Sequence, residues 1–171
     1  MVMLLSLFLI LLTAAGSVPQ PSLLDSVRQK SEEECVAVDY EFTATMSGVK
    51  TSGKGTVRIQ GNSYHMSGNG LEIYCDSETT WMIDGSAKEV FVESAESQSA
   101  GYLANPALLL MNLEQEGKAC QVNGDTLTLE LDEGVLLEVK IKAMKAEGIK
   151  KSEAFRPPID FDSSWIVTDL R

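Results

Sequence analysis

Alternating apolar and polar residues dominate the first half of the chain and predict β-strands. The clearest case runs from Val36 to Ser47, where every second residue is apolar. This is the period of a strand with one buried face. Residues 48–53 are expected to form a turn, and further strands are expected at 55–60, 63–67, 71–76, 79–84 and 89–93. The short segments between them are rich in glycine, asparagine, aspartate and serine, so the pattern predicts an antiparallel meander.

Two helices are expected on either side of this meander. The first has Ser22 as its N-cap, with Asp25 three residues later, and runs to about Glu34 with apolar residues on one side. The second follows Asn105 and Pro106, an N-cap and a proline at the first helical position. It is apolar around most of its circumference and needs covering on more than one side. Its apolar residues are Leu108, Leu109, Leu110, Met111 and Leu113.

The predicted order of elements indicates an α+β fold with one large antiparallel sheet. Strands are expected again at 118–122, 126–131, 135–142 and 165–168, and no strand–helix–strand alternation occurs. A sheet of nine or ten strands tends to curl, and Gly55, Gly61, Gly68 and Gly70 permit strong bending. We therefore expect a strongly curved antiparallel sheet that forms an unclosed half β-barrel, with helices covering its concave face. The pattern does not distinguish a filled core from a cavity under the helices.

The N-terminal segment has the composition of a secretory signal peptide. Residues 1–12 are almost unbroken apolar sequence, and residues 13–17 are small. The apolar run is shorter than the roughly 20 residues of a membrane-spanning helix. We expect residues 1–16 to be a signal peptide cleaved after Gly16, and residues 17–171 to form a single exported domain.

Charge and histidine content narrow the functional classes. The chain has 25 acidic and 14 basic residues, a net charge of -11, which disfavours nucleic acid as a partner. With a single histidine, a His-rich zinc site cannot be assembled. Neither acidic run, 32–34 or 160–162, has the ligand spacing of a calcium loop. We predict no metal and no cofactor.

An enzyme would have to be built around His65. Its candidate nucleophiles are Ser63, Ser67 and Cys75, and Asp76 or Asp84 would orient the imidazole. No GxSxG elbow or cysteine-nucleophile motif accompanies them. A lone histidine on an alternating strand is more often solvated or hydrogen-bonded, so we predict that the protein is not an enzyme.

Three cysteines leave at least one thiol unpaired. Cys35, Cys75 and Cys120 match neither a CxxC motif nor a zinc knuckle. Buried small hydrophobic residues are one interpretation, and a single disulfide between two of the three is the other.

One segment resembles the periplasmic lipoprotein carrier family LolA. Residues 80–84, Thr-Trp-Met-Ile-Asp, followed by residues 88–92, Lys-Glu-Val-Phe-Val, are similar to that family's "W-x-[YI]-D, then K/Q-x-V" segment. The exported N-terminus, the first helix leading into a long alternating strand, the Asn105-Pro106 helix and the Phe155-Pro157-Pro158 tail also lie where the family has them. Residues 62–67 replace the family's Arg-Pro and aromatic strand, so no arginine can be assigned to lock a lid.

The resemblance implies a periplasmic carrier that shields the acyl chains of lipoproteins in an apolar cavity and moves them towards the outer membrane. It implies an inner-membrane release complex and an outer-membrane acceptor as further partners, and a monomeric carrier. The helix with Leu108, Leu109, Met111 and Leu113 would be the lid, and Leu109→Glu or Phe42→Glu would abolish acyl binding. The expected cavity wall is Val38, Tyr40, Phe42, Val57, Ile59, Tyr64, Met66, Leu71 and Ile73.

Two alternatives remain open at this point. Each apolar residue at period two is, taken singly, more often ordinary core than cavity wall, and the methionines serve equally as gap-fillers. The same fold could also act as a periplasmic lipid-sensing or regulatory interaction domain.

Overall fold

Ten strands and one α-helix make up the structure, a computed structural model that describes residues 22–68, 70–95, 120–131 and 134–171. A 3-10 turn, Ser152–Phe155, precedes the last strand. The elements are α1 (Leu23–Glu33), β1 (Cys35–Met46), β2 (Val49–Gln60), β3 (Ser63–Gly68), β4 (Leu71–Asp76), β5 (Thr79–Asp84), β6 (Glu89–Ser94), β7 (Cys120–Asn123), β8 (Thr126–Leu131), β9 (Val135–Gly148) and β10 (Ile166–Asp169).

All ten strands belong to one sheet, in the order β10-β6-β5-β4-β3-β2-β1-β9-β8-β7. Neighbours are antiparallel except β10, which pairs parallel with β6, so the sheet is mixed and the expectation of a wholly antiparallel sheet is wrong at this edge. A four-residue strand gives no sequence signal for its direction of pairing. β10 and β7 lie at opposite ends of the order, and the sheet does not close into a barrel.

Helix α1 begins where the sequence predicts. Ser22 and Asp25 form a capping box, in which the Ser22 side chain accepts from the Asp25 N–H. The N–H of Leu23 donates to Asp125 Oδ1 at 2.8 Å, which anchors the start of the helix to the turn between β7 and β8. Near the other end, the Gly61 N–H donates to the Ser31 carbonyl at 2.6 Å. These bonds fix α1 across one end of the sheet.

The turn of the long β1–β2 hairpin is shorter than the one expected at residues 48–53. β2 begins at Val49, and a two-residue turn at Ser47 and Gly48 joins the strands with φ of 50° and 81°. Positive φ at both turn residues matches the twist of the flanking strands. Residues 49–53 show no strand period, but they pair with β1 from Met46 back to Phe42. Hydrogen bonding to β1 therefore extends β2 over residues that have no strand pattern of their own.

The other strands follow the predicted order with changes at their ends. β3 to β6, β8 and β10 lie within one residue of the prediction, and β7 ends one residue later than predicted. β9 continues to Gly148 rather than ending near Lys142, because β1 pairs with it along its whole length. Two register irregularities, at Cys35/Val36 and at Asp39/Tyr40, interrupt this ladder.

Successive residues alternate between two faces of the sheet. One face carries a continuous apolar cluster on β1 to β4, β8 and β9, and α1 packs on it through Leu24 and Val27. We call this the apolar face. Apart from Cys35, which is buried at the start of β1, the other side of β1, β2 and β9 is mostly exposed and polar. The chain after β9 packs against the same side of β4 to β6.

That C-terminal packing forms a second, smaller cluster. Phe161 and Trp165 pack against it, with ring centroids 5.2 Å apart in an edge-to-face arrangement. Arg156 Nε lies 2.6 Å from Asp76 Oδ2 and joins the tail to β4. We call this group the tail cluster: Tyr74, Trp81, Ile83, Val90, Val92, Phe161 and Trp165.

Two sequence predictions lie outside the described residues. They are the signal peptide at residues 1–16 and the lid helix with Leu108, Leu109, Met111 and Leu113.

Candidate apolar binding face

The apolar face holds the larger of two buried hydrophobic clusters in the part of the chain that the structure describes. It arises because four adjacent strands, β9, β1, β2 and β3, place alternate side chains on the same side in matching register. Its buried residues are Leu24, Val27, Val36, Val38, Tyr40, Val57, Ile59, Tyr64, Met66, Ile73, Cys75, Leu127, Leu129, Leu137, Val139 and Ile141.

Most of the sequence-predicted wall residues lie together on this face. Phe42 is half-buried at the margin of the cluster, and Leu71 is half-buried at the start of β4 and is not a member of it. By alternation along β4, Leu71 lies on the same side of the sheet as Ile73, and its place in the wall stays a prediction. The seven residues in the buried cluster are Val38, Tyr40, Val57, Ile59, Tyr64, Met66 and Ile73.

A second part of the apolar face comes from β8 and β9 and was not among the predicted wall residues. Val135, Leu137, Val139 and Ile141 alternate with exposed residues along β9. This is the same period-two signal that identified β1. The pairing of β9 with β1 brings the two halves together, and the sequence gives no sign of that pairing.

A close approach at Gly55 shapes the centre of the apolar face. A Cβ atom at Gly55 would lie 2.6 Å from the Tyr40 hydroxyl and 2.8 Å from the Ser67 carbonyl oxygen. Glycine is therefore required where the Tyr40 ring lies over β2. Burial raises the pKa of Tyr40 to about 12, so its phenol is neutral and adds no charge to this face.

Polar side chains replace apolar ones where the face reaches β5 and β6. The register aligns Cys75 with Thr80, and Thr80 with Glu93. Thr80 and Glu93 are both buried. A buried carboxyl group ends the apolar face on this side.

Two of the three cysteines are buried and unpaired. Cys75 lies on the apolar face, where its thiol is 3.7 Å from the Asn62 carbonyl oxygen, and Cys35 lies on the opposite side of the sheet. Any single disulfide in this chain would use at least one of these two thiols, so the structure favours the interpretation as buried small residues. Burial, with a contribution from Glu147, raises the pKa of the Cys35 thiol and keeps it protonated.

His65 does not lie beside the groups that an enzyme would have to place around it. Its ring stacks on Tyr74 at 4.1 Å, on the face opposite Cys75. Among the described residues Nε2 has no hydrogen-bond partner, although Glu72 Oε2 lies 3.9 Å away, and desolvation lowers the histidine pKa. Both candidate orienting carboxylates are engaged elsewhere: Asp76 with Arg156, and Asp84 with the turn at Ser86.

The described residues contain neither a metal-ligand cluster nor a membrane-spanning helix. Within residues 22–68, 70–95, 120–131 and 134–171, no three histidine, cysteine, aspartate or glutamate side chains lie close enough together to hold a metal ion. No helix among the described residues is both long and apolar enough to cross a bilayer.

Comparison with known proteins gives similarity at the level of structure alone. No protein-family model matches the chain, and no curated protein matches it. Among solved structures, the chain is similar to an uncharacterized conserved protein from Thermus thermophilus. The identity is 9% and the TM-score 0.46, with 86% of this chain and 97% of the other covered. A similarity this distant assigns neither a family nor a function.

Proposed function

We propose that this protein is an exported carrier that shields the acyl chains of lipoproteins against its apolar face and moves them through the periplasm towards the outer membrane. The resemblance of residues 80–92 to LolA motivates the proposal. The observation that carries it is the continuous apolar face, contributed by neighbouring strands of an unclosed sheet. A lipid chain requires such a surface because it has no polar groups to satisfy.

The energetics of acyl transfer explain why a carrier needs this surface. Each buried methylene contributes about 0.8 kcal/mol, so a chain of about 16 carbons gains up to roughly 12 kcal/mol on leaving water. Reversible loading then requires a cover that the acyl chain can displace. In this proposal the sheet curves into a half-barrel, α1 covers one end, and the Leu108–Leu113 segment is the displaceable lid.

The chemistry of the apolar face is compatible with a flexible hydrocarbon ligand. Met66 is buried in the cluster, while Met82 and Met144 pack against its margin. Methionine side chains are unbranched and adapt to ligands of variable shape. Tyr40 is neutral, so an acyl chain would meet no fixed charge at the centre of the face.

A second candidate function is a periplasmic lipid-sensing or regulatory domain of the same fold. The edge strand β10 favours it, because Ile166 is 60% and Val167 is 49% exposed there. Exposed apolar residues on an edge strand offer a site for a partner strand. A sensor would bind lipid on the apolar face and a protein at this edge, whereas a carrier would release its lipid to an acceptor.

Titration with a fluorescent fatty acid tests acyl binding directly. The informative variant is Phe42→Glu, because Phe42 is half-buried at the margin, where a charge can reach solvent without unfolding the strand. The matched control is Thr43→Glu, one residue along β1 on the opposite face.

We expect saturable binding by the wild type, a loss of at least tenfold in Phe42→Glu and no change in Thr43→Glu. Equal affinity in all three folded proteins would remove the apolar face as the binding site. No binding by the wild type would refute the carrier proposal.

A further inference from the structure

Basic residues are concentrated on one part of this acidic protein. The long ribbon of β1, β2 and β9 with its following turn, residues 35–60 and 135–151, contains eight basic and four acidic side chains. Residues 63–95 and 152–171, which form β3 to β6, β10 and the tail, contain three basic and ten acidic ones. The described sheet is therefore positive at its β9–β1–β2 side and negative at its β3–β6 side.

The basic side chains of the ribbon share one face, on the side of the sheet opposite the apolar face. β2 contributes one row and β9 contributes the other, with β1 between them. Two strand spacings place the rows about 10 Å apart. All six side chains are exposed. We call this surface the lysine face: Lys50, Lys54, Arg58, Lys140, Lys142 and Lys145.

The lysine face keeps a net positive charge, because its six basic side chains outnumber the four acidic ones on the same three strands, Asp39, Glu41, Glu138 and Glu147. Lys142 pairs with Glu41 at 3.2 Å, and Arg58 pairs with Glu147 at 3.2 Å. The other four, Lys50, Lys54, Lys140 and Lys145, form no salt bridge with any residue in the described part of the chain. Their charge is available to a partner.

We propose that the lysine face docks onto a bilayer surface that carries anionic phospholipid headgroups. Five of its six members are lysines, which act as flexible point charges and suit a fluid layer of phosphates better than a fixed bidentate site. Between the rows, β1 presents Ala37, Asp39, Glu41 and Thr43. The face therefore lacks the large apolar or aromatic anchor at the centre of most protein interfaces.

The negative half of the protein does not prevent this docking. β6 is four strand spacings from β2, about 19 Å, which exceeds two Debye lengths at physiological ionic strength. The acidic residues near β6 are therefore screened from a membrane that touches the ribbon. Docking through the lysine face would leave the apolar face directed away from the membrane. Membrane contact and acyl binding would therefore use opposite sides of the sheet.

Vesicle sedimentation tests the inference. The full chain is mixed at about 0.15 M salt, the physiological ionic strength, with vesicles of phosphatidylcholine alone or with phosphatidylglycerol added. The test variant carries Lys54→Glu, Lys140→Glu and Lys145→Glu. The control carries Lys30→Glu, Lys88→Glu and Lys151→Glu, which changes the net charge equally at exposed lysines outside the lysine face.

We expect the wild type and the control to bind the phosphatidylglycerol vesicles and not the neutral ones. Each lysine near an anionic surface contributes about fivefold to partitioning, so the test variant should lose about a hundredfold or more. No binding by the wild type would overturn the inference. Equal losses in test and control variants would also overturn it, because binding would then follow total charge. If the protein bound no vesicles but captured an acidic protein through the lysine face, the inference would be overturned. The partner of this face would then be a protein and not a membrane.

Membrane docking goes beyond the proposed acyl site, and each of the two proposals can fail without the other. Fatty-acid titration of the same variants shows which of them fails. Intact acyl binding without vesicle binding would refute the lysine face alone, and vesicle binding without acyl binding would refute the carrier proposal alone.

Discussion

The two faces of the β9–β1–β2 ribbon differ completely although the same strands form both. On one side, Val36, Val38 and Val57 have no measurable exposure. On the other, adjacent residues such as Asp39, Glu41 and Arg58 are exposed and make only pairwise polar contacts. Stability therefore resides on the apolar face, while the opposite face is free to carry charge. Neighbouring substitutions along one strand should separate these two roles.

The largest effect is expected from placing the same charge on adjacent residues of β1. Val38→Lys buries an ammonium group among apolar side chains and should cost more than about 4 kcal/mol of unfolding free energy. Asp39→Lys loses only the 2.9 Å bond from Thr56 Oγ1 and should cost about 1 kcal/mol or less. Urea denaturation of both variants measures the difference. Similar losses of unfolding free energy in the two variants would mean that the two faces of β1 do not differ in burial.

A second test adds one methyl group at Gly55. The new Cβ would overlap the Tyr40 hydroxyl and the Ser67 carbonyl, so Gly55→Ala should destabilise the protein by about 1–3 kcal/mol. Gly85→Ala is the control, since no atom lies within 4 Å of its Cβ, and it should change stability by less than about 1 kcal/mol. Thermal unfolding of the pair distinguishes them. Equal melting temperatures would contradict the close packing of Tyr40 over β2.

The ion pair between Asp76 and Arg156 should make the free energy of unfolding depend on pH in the acidic range. Burial raises the pKa of Asp76, but the N–H groups of Thr79 and Glu78 outweigh it. With the Arg156 guanidinium they hold the pKa of this carboxyl below its usual value of about 4. The stabilisation is therefore complete above about pH 4 and is lost as the pH falls through the lower folded pKa.

Asp76→Asn removes this contribution. It should cost about 1–3 kcal/mol at pH 7 and much less near pH 2. Urea denaturation at the two pH values provides the measurement, with Asp169→Asn, an exposed carboxyl paired with Arg171, as the control. An unchanged cost at low pH would show that the loss is not electrostatic.

The smallest effect is expected at His65. Desolvation and Arg58 lower its pKa while Glu72 raises it, and the net shift is downward. The folded protein therefore binds this proton less readily than the unfolded chain, and stability falls as the pH drops below about 6.5. His65→Phe keeps the stack on Tyr74 and should reduce the stability change between about pH 7.5 and about pH 5.5 by less than about 1 kcal/mol. If the unfolding free energy of the variant depended more steeply on pH than that of the wild type, the downward shift of the His65 pKa would be contradicted.

Local periodicity made much of the fold predictable. The alternation from Val36 to Met46 located β1 almost to the residue, because one face of that strand is buried along most of its length. Ser22 and Asp25 located the start of α1 through hydrogen bonds within a single turn. Glycine-rich and asparagine-rich turns likewise separated β2 to β4.

The failures occur where pairing with a distant strand decides the structure. Residues 49–53 and 143–148 have no strand pattern of their own, and each becomes strand because β1 lies beside it. The parallel pairing of β10 with β6 and the polar end of the apolar face at Glu93 also depend on long-range contacts. For the candidate site, the residues predicted on β1 to β4 mostly join the buried cluster, but its continuation onto β8 and β9 was not predicted.

Native mass spectrometry of the full chain, purified from the cell envelope of its host, tests whether the apolar face carries lipoproteins. We expect the protein to carry one or more acylated polypeptides, which dissociate when the sample is delipidated. A protein that is isolated empty and then fails to bind a fluorescent fatty acid would contradict the claim, and would show that the apolar face is an ordinary hydrophobic core.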